Sequence, residues 1–163
     1  MAIAMVTVKQ GGQADLPGVL ALIQELAEFE RAGDQVQTSV ESMRQDAFGD
    51  RPVFDFYVAV KDSDESYVGL ALFFYSYSTW KGKCLYLEDL VVTQAHRGKG
   101  LGRRLLDTVM QVRCISKCPS AQGLQLCSAA LCCNLWRHKS TQIWLQPSCA
   151  LAGLQCRQAN VPS

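Results

Sequence analysis

No acidic residue follows Asp107, and no tyrosine or phenylalanine follows Thr108. Asparagine is almost missing, with only Asn134 and Asn160. No apolar run approaches the ~20 residues a membrane-spanning helix needs. A net charge of +1 gives bulk electrostatics no hold on nucleic acid or on an anionic membrane. The first nine residues lack a charged stretch ahead of their apolar ones, so they make a poor signal peptide, and a cytoplasmic location is expected. What remains is globular in balance, 48% hydrophobic and 19% charged, at a length of 163 residues that suits one domain.

These absences are unevenly spread. The first 107 residues hold all 15 Asp and Glu against 11 of the 16 Lys and Arg; the last 56 hold the other 5 bases and no acid. Seven of the eight cysteines also follow Thr108. Two compositions are joined inside what reads as a helix. Zinc sites pair their ligands at short spacing twice over. Cys114 and Cys118 could make one such pair, but the adjacent Cys132 and Cys133, with His138 nearby, do not make a second, so no metal is expected. A disulfide framework would need an oxidising compartment that nothing else suggests.

The most informative stretch is Cys84–Val112, CLYLEDLVVTQAHRGKGLGRRLLDTVMQV. Its first part is apolar and β-prone, with Glu88 and Asp89 in the middle. A glycine-rich turn, Arg97-Gly98-Lys99-Gly100-Leu101-Gly102, comes next, and an amphipathic helix follows. Glycines let the backbone turn tightly and approach a ligand closely. The helix start offers free N–H groups and a positive dipole end, a natural phosphate site. Arg97, Lys99, Arg103 and Arg104 add positive charge. Walker A fails because Lys99 is not followed by Ser or Thr. The dinucleotide fingerprint fails because the glycines fall as Gly-x-Gly-x-Gly. A basic surface turn capping a helix is the plain alternative.

Taken in order, the chain predicts β1 at Val6–Lys9 and a helix capped by Asp15 with Leu16, Val19, Leu20, Ile23, Leu26 and Ala27 on one face, stopping near Gly33. A second helix opens on a Thr38/Glu41 capping box and ends at Gly49. Strands follow at Phe54–Val60, Tyr67–Ser78 and Cys84–Val92, the last two joined by a loop with Trp80, Gly82 and Lys83. Short links favour antiparallel neighbours. The order is βααβββα.

Arg97, Gly100 and Gly102 fit Arg-x-x-Gly-x-Gly between a strand and a helix, and this resembles the pyrophosphate loop of the GCN5-related N-acetyltransferases (GNAT). Ile23–Glu30 (IQELAEFE), Tyr75–Lys83 (YSYSTWKGK) and Tyr86–Val92 (YLEDLVV) carry the likeness further, to the diamine, or spermidine/spermine, acetyltransferases. The resemblance implies an α/β (α+β) acyl-CoA N-acyltransferase fold, a mixed central sheet flanked by helices, over residues 3–112. It implies acetyl-CoA as cosubstrate and a small amine such as a polyamine or diamine as acceptor. It implies that Leu90, Val91 and Val92 bind the pantetheine arm through their backbone and that Arg97, Gly98, Lys99, Gly100, Leu101 and Gly102 hold the pyrophosphate. A flexible polycation wants carboxylates along its channel, and the family's acids fall where this chain has Glu30, Glu88 and Asp89. Two neighbouring acids in a regular strand point to opposite faces, so at least one needs a reason to be there. Glu88 is the stronger candidate, as substrate contact and as general base acting directly or through water. Glu30 reads equally as a solvated helix-end residue, and Trp80 as packing or as a ring face for the amine.

The resemblance ends near Val112. The family's proton donor to the departing thiolate is a tyrosine on a later helix, and residues 113–163 contain none. This Cys-rich tail is expected to lack the family's last strands and helix or to replace them, leaving the fourth strand with a bare edge, a thinner cofactor cleft and an altered or lost homodimer. Leu124–Trp136 is apolar enough to sit beside that strand, which reads as compositional mimicry. The switch reads as a frameshifted, unspliced or alternatively spliced coding end, an expectation that sequencing the transcript across Asp107–Cys118 tests. The alternative function is an inactive variant that at most binds coenzyme A or pairs with another subunit.

Overall fold

A computed structural model of the chain describes residues 5–79, 82–115, 124–126 and 144–145. The elements are β1 (Val6–Gln10), α1 (Leu16–Phe29), α2 (Val40–Phe48), β2 (Asp55–Lys61), β3 (Tyr67–Ser78), β4 (Gly82–Val92), α3 (Leu101–Ile115), β5 (Leu124–Leu126) and β6 (Trp144–Leu145). The expected βααβββα order is present. The strands form one sheet in the order β1-β2-β3-β4-β5-β6. The first four run antiparallel to their neighbours, while β5 and β6 add in parallel. No described helix is long and apolar enough to cross a membrane.

Each face of the sheet buries its own core. On one face, Leu16, Val19, Leu22 and Leu26 of α1, with Met43 and Ala47 of α2, cover Phe56, Val58, Leu70, Leu72 and Val91. On the other, Leu101, Leu105 and Val109 recur every fourth residue along α3 and pack on Ala59, Ala71, Phe73, Leu85, Leu87 and Leu90. That spacing keeps one stripe of the helix against the strands. Of these, Leu105 and Val109 have no exposed surface.

Several local expectations shift. The capping box of α2 is Ser39/Ser42: the Ser39 hydroxyl accepts from the Ser42 N–H at 3.1 Å, and the Ser42 hydroxyl accepts from the Ser39 N–H at 3.0 Å. The stop of α1 is not Gly33. Arg31 takes the left-handed conformation at φ 60°, and Ala32 N–H returns to the Ala27 carbonyl at 2.8 Å, a Schellman ending. Asp15 does not cap α1 with its side chain. It is buried and accepts from Lys9 Nζ (2.9 Å), the Gly12 N–H (2.8 Å) and the Tyr67 hydroxyl (2.8 Å). Burial alone would raise its pKa, but these donors hold it below the ordinary aspartate value.

The bare edge of the fourth strand is also corrected in part. Leu124–Leu126, inside the apolar stretch of the tail, pairs in parallel with Leu85–Leu87. The pairing stops there. From Glu88 to Val92 the outer edge of β4 meets no strand among the described residues.

Candidate active site

The break in pairing coincides with a bulge. Leu72 of β3 sits opposite Asp89, and the next residue, Phe73, sits opposite Leu87. Glu88 is therefore the extra residue, opposed by nothing. A bulge resets which side chains share a face. Leu85 and Leu87 point to α3, and so do Leu90 and Val92, while Val91 joins the α1/α2 core. The regular alternation expected for Glu88 and Asp89 thus fails at this point. Asp89 lies across from Leu72 on the face covered by α1, half-buried, and Glu88 is the more exposed of the two.

The end of α1 approaches the same place. Glu30 closes the helix just before the left-handed Arg31. The Asp89 carboxyl is pushed up to about 6, first by burial and then by the negative charges of Glu88 and Glu30. Glu88 is raised by partial burial alone. Three of the four acceptor residues proposed from the sequence therefore share one electrostatic neighbourhood, and the largest perturbation falls on Asp89 rather than on Glu88. Trp80, the fourth, lies outside the described residues, as does most of the tail from 116 on.

The glycine loop follows the far end of β4. Gly98 and Gly100 both have positive φ, 73° and 77°. A Cβ on either would meet nothing within 4 Å, so backbone conformation rather than crowding requires glycine here, and the space above the loop is open. The first bond of α3 runs from the Arg104 N–H to the Gly100 carbonyl at 3.1 Å. The N–H groups of Leu101, Gly102 and Arg103 precede it and have no acceptor within the helix.

The four bases divide. Arg103 is engaged by Asp107 one turn on, at 2.7 Å, and Arg104 donates to the Val6 carbonyl of β1 at 2.9 Å. Arg97 and Lys99 belong to the loop proper. Lys99 Nζ donates to the Ala95 carbonyl and Arg97 Nε to the Val92 carbonyl, both at 2.8 Å. Strand end, loop and helix start therefore combine a backbone edge that no described strand pairs, its Val92 carbonyl taken by Arg97, with a positive dipole end and two cations.

Residues 19–114 match the model of the acetyltransferase (GNAT) family. The chain belongs to that family. It is 38% identical over 115 residues to the thialysine N-epsilon-acetyltransferase of Bos taurus, covering 67% of this chain and 68% of that one. It is 35% identical over 116 residues to the spermidine/spermine N(1)-acetyltransferase-like protein 1 of Homo sapiens, covering 68% of this chain and 17% of that one. An aminoglycoside N-acetyltransferase solved in complex with CoA shares the fold, with a TM-score of 0.56 at 14% identity over 72% of this chain and 74% of that one.

Within this GNAT chain, sequence reasoning missed two features. The bulge had a signal: the α3-facing leucines fall at 85 and 87 and then at 90, one step too long for an unbroken strand. Phe29, beside Glu30, was passed over. Its ring lies under the Arg97 guanidinium, 4.9 Å from centroid to Cζ.

Proposed function

We propose that the chain is built to transfer acetyl from acetyl-CoA to a primary amine of a small polycation, and that residues 3–112 are its catalytic domain. The observation that carries this reading is that Glu88 and Asp89, at the bulge of β4 and joined electrostatically by Glu30 from the end of α1, stand on the strand that leads into the Gly98/Gly100 loop. The loop suits a pyrophosphate because its glycines leave open space and the first N–H groups of its helix have no acceptor within the helix. Arg97, Gly98, Lys99, Gly100, Leu101 and Gly102 would hold that group, and the backbone of Leu90, Val91 and Val92 the pantetheine arm. When bound, acetyl-CoA supplies a thioester carbonyl open to attack.

The carboxylates attract the cationic amine and hold its chain. Glu88, directly or through water, takes the proton that frees the amine's lone pair. A backbone N–H of the Leu90–Val91 stretch faces the oxygen where negative charge develops. The amine nitrogen replaces the sulfur at the carbonyl carbon, and the thiolate leaves to be protonated. Acceptors with a second positive charge, whether spermidine-like, diamine or lysine-like, suit three neighbouring acids. The names of the relatives, thialysine and spermidine/spermine acetyltransferases, agree with that class. A cytoplasmic setting suits such acceptors.

A second reading has its own observation. No tyrosine follows Thr108 to protonate the thiolate. On that reading the chain binds coenzyme A, or pairs with another subunit, without turnover. Release of free coenzyme A by the purified full chain, given acetyl-CoA and a panel of amines, separates the two. Turnover above an Arg97→Gln/Gly100→Val double variant supports the enzyme. Coenzyme A binding without turnover supports the second reading, and no binding at all overturns the enzyme and leaves only the pairing form of the second reading.

A further inference from the structure

Phe29 is 60% exposed, an unusual setting for a phenylalanine, and it contributes to neither core. It occupies the last position of α1, while Arg97 comes from the loop after β4. The two meet through the ring face, with the guanidinium carbon 4.9 Å from the centroid. Arg97 is held on a second side by the bond from its Nε to the Val92 carbonyl. A guanidinium fixed by its Nε and by one face keeps its two terminal nitrogens as a fork, and no other hydrogen bond to them is seen among the described residues. That fork matches the paired oxygens of a phosphate.

We infer that Phe29 is a positioning residue for anion binding: its ring holds Arg97 so that the free edge of the guanidinium faces a pyrophosphate at the start of α3. The inference rests on the reading of that loop as a coenzyme A site, and it adds an aromatic requirement on an element outside the loop motif. The end of α1 then serves both halves of the site, since Phe29 supports the anion's partner and Glu30, next in sequence, lends charge to the carboxylate group. An alkyl side chain in place of the ring would cover Arg97 without the attraction of a ring face.

The test is calorimetric binding of coenzyme A to the full chain. Phe29→Leu should weaken binding by about two- to fivefold, the range for an exposed cation–ring contact. Phe29→Tyr should restore it, because it keeps the ring. Both should melt with the parent, because an exposed helix-end side chain packs into no core. In an Arg97→Gln background, Phe29→Leu should have no further effect. Parent-like binding by Phe29→Leu, or the same loss with and without Arg97, overturns the inference and leaves the loop assignment standing. Failure of the parent itself to bind coenzyme A overturns both.

Discussion

Replacing Asp89 by asparagine should stabilise the protein at neutral pH while impairing its proposed chemistry. Burial, Glu88 and Glu30 together move this carboxyl from the ordinary aspartate value of 3.8 to about 6 in the folded chain. A raised acid favours folding fully below its unfolded pKa, and that contribution is lost as pH rises through the folded value. Above about pH 6 the folded protein thus carries an ionised group it would rather keep neutral. A move from 3.8 to about 6 corresponds to about 3 kcal/mol between the two protonation states. Water reaching a half-buried side chain screens part of this and brings the expected gain to about 1–2 kcal/mol. Asparagine has nearly the same shape and no proton to lose. Urea unfolding of parent and variant at several pH values reads the difference. The gap should open between about pH 4 and pH 6 and stay level above. Adding Glu30→Gln should narrow it, because one of the charges acting on Asp89 is gone. A gap independent of pH, or an asparagine variant less stable than the parent at pH 7.5, refutes the reasoning.

Two further substitutions probe the backbone around the site. Gly100→Ala should cost about 1–2 kcal/mol through its φ of 77° alone, since an added methyl meets no atom within 4 Å, and it should weaken coenzyme A binding as the loop shifts; denaturation and calorimetry check the two effects. Arg31→Gly should raise stability by about 0.5–1 kcal/mol, measured by thermal unfolding, because glycine takes the left-handed φ of 60° without strain at the end of α1.

The sequence states some of this structure plainly and hides the rest for physical reasons. β3 is read to the residue, Tyr67–Ser78, because a twelve-residue run rich in aromatic and aliphatic side chains lies between a polar turn and a hairpin. Helix ends are harder. Thr38/Glu41 and Ser39/Ser42 are both capping pairs at the right spacing, one step apart, and only the position of the first turn chooses between them. Gly33 looks like the stop of α1, yet the chain turns earlier, at Arg31, where the Schellman bonds close. The glycine loop is legible because its motif is local. The division of its bases is not, since Arg104 bonds to Val6 at the other end of the chain. Phe29 has no local signal at all: its partner lies sixty-eight residues on, and a helix-end phenylalanine looks like any other core residue.

The bulge at Glu88 ties these parts together. One extra residue turns Asp89 toward α1, where Glu30 can act on it, and the parallel pairing with β5 ends at the residue just before. A strand without the bulge would have its outer edge free to pair further along and would offer no gap for an extended ligand. The same residue therefore separates a paired, structural half of β4 from an open half that leads into the glycine loop. Both the carboxylate group and the loop lie before the change of composition at Thr108. The part of the proposed site still needed from the segment beyond is narrow: a wall facing Glu88–Val92 and a group to protonate a leaving thiolate. A chain with no tyrosine there must use water or another side chain for that proton. Coenzyme A binding should therefore survive in this protein better than turnover, and comparing the two in one preparation tests that order directly.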